Sequence, residues 1–204
     1  MCARRRPDTS YGSNRPQSVS PRQESPTHMQ IRPATAADFP AILALNEASV
    51  AVLAPMDFAR LEDLHAGSSY HKVAEVDGAV LAFLLVFREG ASYDSPNYLW
   101  FSAHYPRFLY IDRIVVSAES RGGGIGPALY EDLIAEARNR GVDLVCCEYD
   151  IAPPNPGSAR FHARFGFREV GQQVVAGGKK AVSLQVLELR PEYTSRNPSP
   201  GVTS

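Results

Sequence analysis

A glycine-rich run, residues 121–126, is the part of this sequence whose residue types point most directly to chemistry. It follows an apolar stretch, residues 108–116, and leads into a helical pattern, residues 127–140. Glycines let the backbone turn sharply and let an anion approach the main chain without a Cβ in between. The first N–H groups of a helix lack intrahelical acceptors, and an arginine at the turn adds donors for phosphate oxygens. The run therefore predicts a site for a phosphorylated ligand, built from a strand, a turn and a helix.

Two common phosphate-binding patterns do not fit this run. A P-loop ends in Gly-Lys-Ser/Thr, whereas this turn ends in Gly-Pro-Ala. The dinucleotide fingerprint needs a third glycine, and the two possible positions hold proline and leucine. The pattern that fits is Arg/Gln-x-x-Gly-x-Gly/Ala, with Arg121, Gly124 and Gly126 in place. On this motif the chain resembles the GNAT superfamily of N-acetyltransferases, and the resemblance implies that the turn binds the pyrophosphate of acetyl-coenzyme A (acetyl-CoA).

A second motif, residues 155–167, adds to this resemblance. It has the layout of the superfamily's Asn-x-x-Ala-x-x-Leu-Tyr-x-x-x-Gly-Phe segment and follows the glycine run at the expected distance. The positions that match in place are Asn155, Gly166 and Phe167. Phe161 keeps the apolar character of the usual leucine, whereas Ser158 replaces the alanine and His162 replaces the tyrosine. The resemblance spans residues 29–189.

The resemblance implies the α/β (α+β) GNAT fold, a central mixed and mostly antiparallel sheet of about seven strands flanked by about four helices. The pattern along the chain agrees, because short apolar strands alternate with amphipathic helices. Asp77-Gly78 is a type I′ turn signal between two strands, and Gly177-Gly178 separates the strands of a final hairpin. We expect one domain over residues 29–190, with disordered segments at 1–28 and 191–204.

Composition argues against several classes of function. The chain of 204 residues has 44% hydrophobic residues and a net charge of −1, which suits one soluble domain and offers no basic face for nucleic acid. No apolar run approaches the ~18 residues of a membrane span. The three cysteines, two of them the adjacent pair Cys146 and Cys147, form no disulfide framework and no zinc pattern. We therefore expect a cytoplasmic protein that binds no metal, no nucleic acid and no membrane.

The first 28 residues allow three interpretations. They are rich in arginine, serine and proline and almost free of aliphatic residues, which favours a disordered or artefactual extension. An arginine- and serine-rich, acid-poor start is also typical of a transit peptide, although the prolines oppose an amphipathic helix. In the third interpretation Met29 is the true first residue, since a strand pattern begins there at once.

The resemblance also implies which residues hold acetyl-CoA. The turn amides and Arg121 bind the pyrophosphate, and backbone groups of the preceding strand meet the pantetheine arm. The residues implied in cofactor binding are Ile114, Val115, Val116, Arg121, Gly122, Gly123, Gly124, Ile125, Gly126, Pro127, Asn155, Ser158 and Phe161. We expect the side-chain amide of Asn155 to hydrogen-bond the cofactor arm or a nearby backbone group.

In the reaction that the resemblance implies, a deprotonated amine attacks the thioester carbonyl and the coenzyme A thiolate leaves. His162 stands where the superfamily usually has an acid tyrosine. It either protonates the thiolate or only packs against coenzyme A while water supplies the proton. Asp112 and Glu148 are the candidates for the base that accepts the amine proton. The alternatives are a salt bridge between Asp112 and Arg113 and a purely structural role for Glu148.

The acceptor is the part of the reaction that the sequence defines least. The residues implied at the acceptor site are Asn46, Glu47, Tyr110 and Trp100. Trp100 lies in an aromatic-rich segment, residues 88–107, whose length suggests a functional loop, a satellite core or a dimer contact. The sequence predicts an acetyl-CoA-dependent N-acetyltransferase that acts on a primary amine, with a homodimer left open. The alternative is a non-catalytic acetyl-CoA sensor or protein-interaction module on the same fold.

Overall fold

The computed structural model of this protein describes residues 28–50 and 53–189. Apart from His28, the segments in which we expected disorder, 1–28 and 191–204, lie outside the described residues. The strands are β1 (Met29–Pro33), β2 (Tyr70–Val76), β3 (Ala79–Arg88), β4 (Leu109–Val116), β5 (Leu144–Ala152), β6 (Arg168–Val175) and β7 (Lys180–Glu188). The helices are α1 (Phe39–Glu47), α2 (Phe58–Gly67), α3 (Pro96–His104), α4 (Ile125–Asn139) and α5 (Pro156–Phe165). In this described part of the chain, no helix has the length and apolar character needed to cross a membrane.

The strands form one sheet of seven, in the order β1-β2-β3-β4-β5-β7-β6. β4 and β5 run parallel, and every other neighbouring pair is antiparallel. The mixed, mostly antiparallel sheet predicted from the sequence is therefore confirmed. The turn between β2 and β3 has φ of 50° at Asp77 and 84° at Gly78, as a type I′ turn requires.

The hydrophobic core lies on both faces of this sheet. Helices α1, α2 and α3 cover one face, where Ile42, Leu61 and Phe101 pack together. Helix α4 covers the other face through an apolar stripe that includes Leu129 and Leu133, and the α5 aromatics pack beside it. Because successive residues of a strand point to opposite faces, Cys146 packs in the first core and Cys147 in the second.

The segment in which the sequence suggested a long loop contains helix α3, so five α-helices within residues 28–50 and 53–189 flank the sheet, where about four were expected. Pro96 occupies the first turn of this helix, where a proline costs no hydrogen bond. Tyr98 and Phe101 are 2% and 0% exposed, since they pack into the core between α3 and the sheet. The aromatic residues of this segment therefore belong largely to the core rather than to a loop.

Strand β4 carries a bulge on the edge that pairs with β3. Leu85 pairs with Arg113 and Val86 pairs with Ile111, so Asp112 is the extra residue. A bulge sets two consecutive side chains on nearly the same side of a strand. The side chains of Asp112 and Arg113 are accordingly in contact, although strict alternation would separate them.

On its other edge, β4 soon separates from β5. The register pairs described between these two strands are Leu109 with Val145 and Tyr110 with Cys146. Beyond these pairs the strands diverge, and β5 continues alongside β7 instead. The divergence opens the middle of the sheet.

Candidate functional site

The divergence of β4 and β5 forms an open cleft of about 830 Å³. Ligand sites usually have volumes of ~300–1,000 Å³. Alternate residues of β5 reach opposite faces of the sheet here, because Glu148 bonds Tyr110 on the α1–α3 side whereas Tyr149 stacks on His162 of α5. The cleft therefore joins the two faces, and we call the α4–α5 face its cofactor side and the α1–α3 face its acceptor side.

The glycine turn lies at the cofactor side, directly before α4. Gly122 and Gly124 both have φ of 85°, a left-handed conformation that favours glycine. A Cβ at either position would meet no atom within 4 Å, so the space around the turn is open. Arg121 is exposed, and its Nε donates to the carbonyl oxygen of Val116 at 3.4 Å. Exposed amides, the start of a helix and an arginine are together suited to a pyrophosphate.

Most of the residues implied in cofactor binding line the cleft. Those that line it are Ile114, Val115, Val116, Arg121, Gly126, Asn155, Ser158 and Phe161. The others form the glycine turn or the first turn of α4: Gly122, Gly123, Gly124, Ile125 and Pro127. The ring of Phe161 lies 3.6 Å from the position that a Cβ on Gly126 would take, so α5 packs closely against the start of α4.

Asn155 is the N-cap of α5. Its Oδ1 accepts a hydrogen bond from the backbone N–H of Ser158 at 3.1 Å, which satisfies one of the free donors of the first helical turn. This bond is the backbone contact that the sequence predicted as one of two options for Asn155. Because Oδ1 of Asn155 is engaged in the cap, a hydrogen bond from this side chain to a cofactor arm in the cleft would come from its NH₂ group.

His162 is buried at the cofactor side, with both ring nitrogens engaged. Its Nδ1 lies 2.8 Å from the carbonyl oxygen of Ser158, and a carbonyl only accepts, so Nδ1 carries the proton. Nε2 then accepts from the hydroxyl of Tyr130 at 2.9 Å. Burial lowers the pKa of His162, although the Ser158 carbonyl opposes this effect. The imidazole is therefore held neutral, without a proton directed at the cleft.

Tyr130, which sequence reasoning did not select, also lines the cleft. The side chain is 1% exposed, and its ring packs edge-on against Phe161 at 4.8 Å between centroids. Burial raises the pKa of Tyr130 well above its usual range, so the hydroxyl keeps its proton at neutral pH. A signal was available, because Tyr130 follows Gly126 by four residues and so shares its face of α4.

Glu148 lies where the cleft reaches the acceptor side. Its Oε1 accepts from the hydroxyl of Tyr110 at 3.0 Å. Its Oε2 is shielded from solvent and makes no hydrogen bond of standard geometry in the described chain. Burial raises the pKa of Glu148 to about 8, although the Asn97 side chain lies close enough to favour the ionised carboxylate and lower the pKa; the nearby Asp112 acts in the same direction as burial. A carboxyl with such a pKa and a free oxygen in a cleft is suited to accept a proton near neutral pH.

Asp112, the other candidate base, is engaged on both oxygens. Oδ2 accepts from Arg113 Nε at 2.6 Å, and Oδ1 accepts from the hydroxyl of Tyr93. The ion pair is buried, with side chains only 6% and 7% exposed. This is the salt bridge that the sequence offered as the alternative role of Asp112. The described residues include no group of three or more His, Cys, Asp or Glu side chains that suits a metal ion.

All four residues expected at the acceptor site, Asn46, Glu47, Trp100 and Tyr110, lie outside the cleft lining. Asn46 is fully buried, where it accepts from Arg113 Nη1 at 2.9 Å and donates to the carbonyl oxygen of Ala54 at 3.2 Å. Glu47 is exposed on α1 and is not among the lining residues. Trp100 stacks on His104 at 3.8 Å between centroids and packs over Gly171 instead.

Other residues of the same segments line the acceptor side in their place. After α1 the lining residues are Ser49, Val50, Leu53, Ala54 and Pro55, and Tyr93, Ser95 and Asn97 lie at the start of α3 or just before it. Tyr110 is fully buried beneath the lining residues, and its hydroxyl donates a hydrogen bond to Glu148, which lines the cleft. The segments selected from the sequence therefore border the cleft, whereas the four side chains selected within them are not among its lining residues.

Comparison with known proteins agrees with this geometry. The chain is 42% identical over 66 residues to the phosphinothricin N-acetyltransferase of Streptomyces coelicolor. That match spans 32% of this chain and only 37% of the relative's length. A solved structure, the ribosomal-protein-alanine N-acetyltransferase from Brucella melitensis, is 26% identical, with a TM-score of 0.61 over 78% of this chain and 99% of that one.

A second solved structure, a putative acetyltransferase from Salmonella typhimurium with its cofactor acetyl-CoA, shares the fold. It is 21% identical, with a TM-score of 0.63 over 86% of this chain and 99% of that one. The model of the acetyltransferase (GNAT) family matches residues 38–167. This match covers well over half of the chain and confirms both the GNAT fold and, at the level of the family, the class of enzyme predicted from the sequence. The chain belongs to the acetyltransferase (GNAT) family.

Proposed function

We propose that this protein is an acetyl-CoA-dependent N-acetyltransferase that transfers the acetyl group directly to a primary amine. The observation that carries this proposal is one continuous cleft that joins the open glycine turn to Glu148. The turn and Arg121 offer donors for a pyrophosphate on one side of the sheet, and Glu148 offers a proton acceptor on the other. Acetyl transfer needs both in one site, because the thioester and the amine have to meet.

In this proposal Glu148 is the general base. An ammonium group that enters from the acceptor side meets the free Oε2 of Glu148, gives up a proton there and becomes nucleophilic. Tyr110 holds Oε1 and so fixes the orientation of the carboxylate. Asp112 instead orients Arg113 and Tyr93, which makes it a positioning residue for the wall of the cleft.

The proton for the departing thiolate comes, in this proposal, from the Tyr130–His162 pair. The Tyr130 hydroxyl is the member of the pair that has a proton to transfer, since Nδ1–H of His162 is donated to Ser158; to reach the thiolate, this hydroxyl has to turn from Nε2 toward the sulfur. His162 orients this hydroxyl through Nε2. The acid role, one of the two alternatives that the sequence left open for His162, is in this proposal shared between two residues.

The alternative function, an acetyl-CoA sensor without turnover, would be favoured by a cleft that lacks a base. A carboxyl with a pKa near 8 and a free oxygen supports the enzyme instead. A test combines calorimetry with acetyl-CoA and a thiol-release assay over a panel of primary amines. We expect both binding and amine-dependent thiol release. Binding without release from any amine would support the sensor, and absence of binding would contradict both functions.

The first prediction concerns the pyrophosphate site. Arg121→Ala should weaken acetyl-CoA binding by about 1.5–3 kcal/mol, because a charge-assisted contact to phosphate is lost. Calorimetry with acetyl-CoA measures the effect. Arg138→Ala is the matched control, since Arg138 is also exposed but lies at the far end of α4. Equal affinity in the Arg121 variant and the control would contradict the assignment of the turn.

The second prediction separates the two contacts of Asn155. Asn155→Ala should raise the KM for acetyl-CoA more than it lowers kcat, and should cost about 1 kcal/mol of stability through loss of the cap. Asn155→Asp keeps the capping oxygen but removes the NH₂ donor. It should therefore retain stability and still raise KM. If Asn155→Asp leaves KM at the wild-type value, the side chain acts as a cap alone.

A further inference from the structure

The charged groups at the acceptor side restrict the kind of amine that can bind there. The cations among the described lining residues of this side are Arg113 and Lys180. The carboxylates are Asp112, Glu148 and Asp150. Arg121 is the remaining lining cation of the described chain and lies at the glycine turn, on the cofactor side.

Both acceptor-side cations are already held by carboxylates. Arg113 Nε bonds Asp112 at 2.6 Å, and its Nη1 donates to Asn46 at 2.9 Å. Lys180 Nζ bonds Asp150 Oδ2 at 2.9 Å, with the two side chains 29% and 13% exposed. Arg60, which lies over the Tyr93 ring at 5.6 Å, is paired with Asp94. Glu148 is the carboxylate of this set for which the described chain shows no cationic partner.

A substrate carboxylate would be unfavourable in these surroundings. To gain a cation it would have to displace Asp112 or Asp150 from an existing ion pair, and it would also be repelled by Glu148 whenever that residue is ionised. Like charges in contact across an interface are strongly disfavoured, and such repulsion is a common source of specificity. An ammonium group, in contrast, is attracted to Glu148.

The rest of the acceptor side is largely apolar. Leu53, Pro55, Val175 and Val182 line it together with the ring of Tyr93. Tyr93 is held in place, because its ring stacks on Phe87 at 4.2 Å between centroids and its hydroxyl donates to Asp112. Such a wall fits an aliphatic or aromatic group attached to the amine.

We propose that the acceptor is a primary amine with an apolar or aromatic body and with no carboxylate or other anionic group beside the amine. This inference rests on the proposed function, since it specifies the amine that the transferase acetylates. It also separates this chain from its relative's named acceptor, phosphinothricin, an amino acid that carries a carboxylate and a phosphinate.

The test compares amines that differ by the anionic group. Thiol release from acetyl-CoA is measured with 2-phenylethylamine, L-phenylalaninamide, L-phenylalanine and phosphinothricin. The first two carry no anion, and the amide controls for bulk next to the amine. We expect kcat/KM for 2-phenylethylamine and the amide to exceed that for phenylalanine and phosphinothricin by about 100-fold or more, as for a charged group placed against an unmatched charge.

A variant of Asp150 should improve the relative activity on an anionic amine. Asp150→Asn removes the carboxylate that pairs with Lys180 Nζ at 2.9 Å and lowers the negative charge of the acceptor side, so the ratio of kcat/KM for phenylalanine to that for 2-phenylethylamine should rise about tenfold. Glu136→Gln is the matched control, because it removes the carboxylate of the Glu136–Arg140 ion pair on α4, outside the cleft. This control should keep the wild-type ratio.

Equal kcat/KM for phenylalanine and 2-phenylethylamine, or turnover of the anionic amines alone, would overturn the inference and leave the proposed function standing. A ratio that does not change in Asp150→Asn would overturn the role given to the Lys180–Asp150 pair. Acetyl-CoA binding without thiol release from any of the four amines would count against the proposed function itself and would remove the inference with it.

Discussion

Glu148→Gln is expected to lower kcat by about 10²–10⁴-fold while acetyl-CoA binding stays at the wild-type level. Glutamine has nearly the same size and still accepts the hydrogen bond from Tyr110, but it takes no proton from the incoming ammonium group. Thiol release at saturating acetyl-CoA measures kcat, and calorimetry measures binding. The surface variant Glu136→Gln, which lies outside the cleft, is the control and should retain full activity.

The same residue predicts the pH dependence. The ionised carboxylate is the active base, so kcat/KM should rise with pH along a limb centred near the pKa of Glu148, about 8. The limb should be absent from Glu148→Gln. A rising limb that persists in this variant, together with nearly full kcat, would move the role of base to Asp112, which Asp112→Asn then tests.

The raised pKa also has a consequence for stability. Burial raises the pKa of Glu148 from 4.5 to about 8, so between these values the folded state binds more protons than the unfolded state. This contribution to stability is therefore lost as pH rises across that window. Glu148→Gln lacks this loss. The difference between its urea midpoint and that of the wild type should therefore shift in favour of the variant between about pH 5 and about pH 8.

Tyr130→Phe is expected to lower kcat by about 10²-fold with little change in acetyl-CoA binding, because the donor for the thiolate is removed while the packed ring stays. Single-turnover thiol release and calorimetry measure the two effects. Tyr70→Phe is the matched control, since it removes another mostly buried hydroxyl, one that donates to Asp132 at 2.7 Å outside the cleft. Full kcat in Tyr130→Phe from about pH 6 to about pH 9 would mean that water protonates the thiolate.

Variants of His162 test the same pair of side chains as Tyr130→Phe. His162→Phe should lower kcat by a similar factor, and the double variant should lose little more, because the two side chains act as one unit. His162→Tyr restores the residue usual at this motif position and should keep much of the activity. No falling limb near pH 6.5 is expected, because burial lowers the pKa of His162. A large loss in His162→Phe with none in Tyr130→Phe would make the imidazole the direct acid.

The glycine turn could be predicted from the sequence because its chemistry is local. Gly122 and Gly124 adopt left-handed backbone conformations directly before the start of α4. The glycines and the start of the helix are adjacent in the sequence, so a local pattern is enough to predict the turn. The hairpin turn at Asp77 and the opposite faces of Cys146 and Cys147 follow from equally short-range rules. The family motif placed α5 in the same way, through the cap at Asn155.

The catalytic details depend on contacts between distant segments, which no local pattern contains. The bond between Tyr130 and His162 joins residues 32 positions apart on two helices, and in the proposed mechanism it decides which of them has a proton to give. The bulge at Asp112 depends on pairing with β3, and it brings this candidate base into contact with Arg113. Trp100 belongs to a helix whose packing over Gly171 could not be deduced from aromatic content.

The early separation of β4 from β5 has one more consequence. Beyond Tyr110, the described β4 has no register partner on the β5 side, so the backbone groups that point there form an edge strand in the middle of a sheet. Outer edges invite pairing with other chains and promote aggregation. This inner edge lies between two flanking strands. Another folded protein does not fit there, but a narrow extended ligand such as a pantetheine arm does. Slower hydrogen exchange at the Ile114 and Val116 amides should therefore report cofactor binding. Because this edge is internal, it should not promote self-association of the protein.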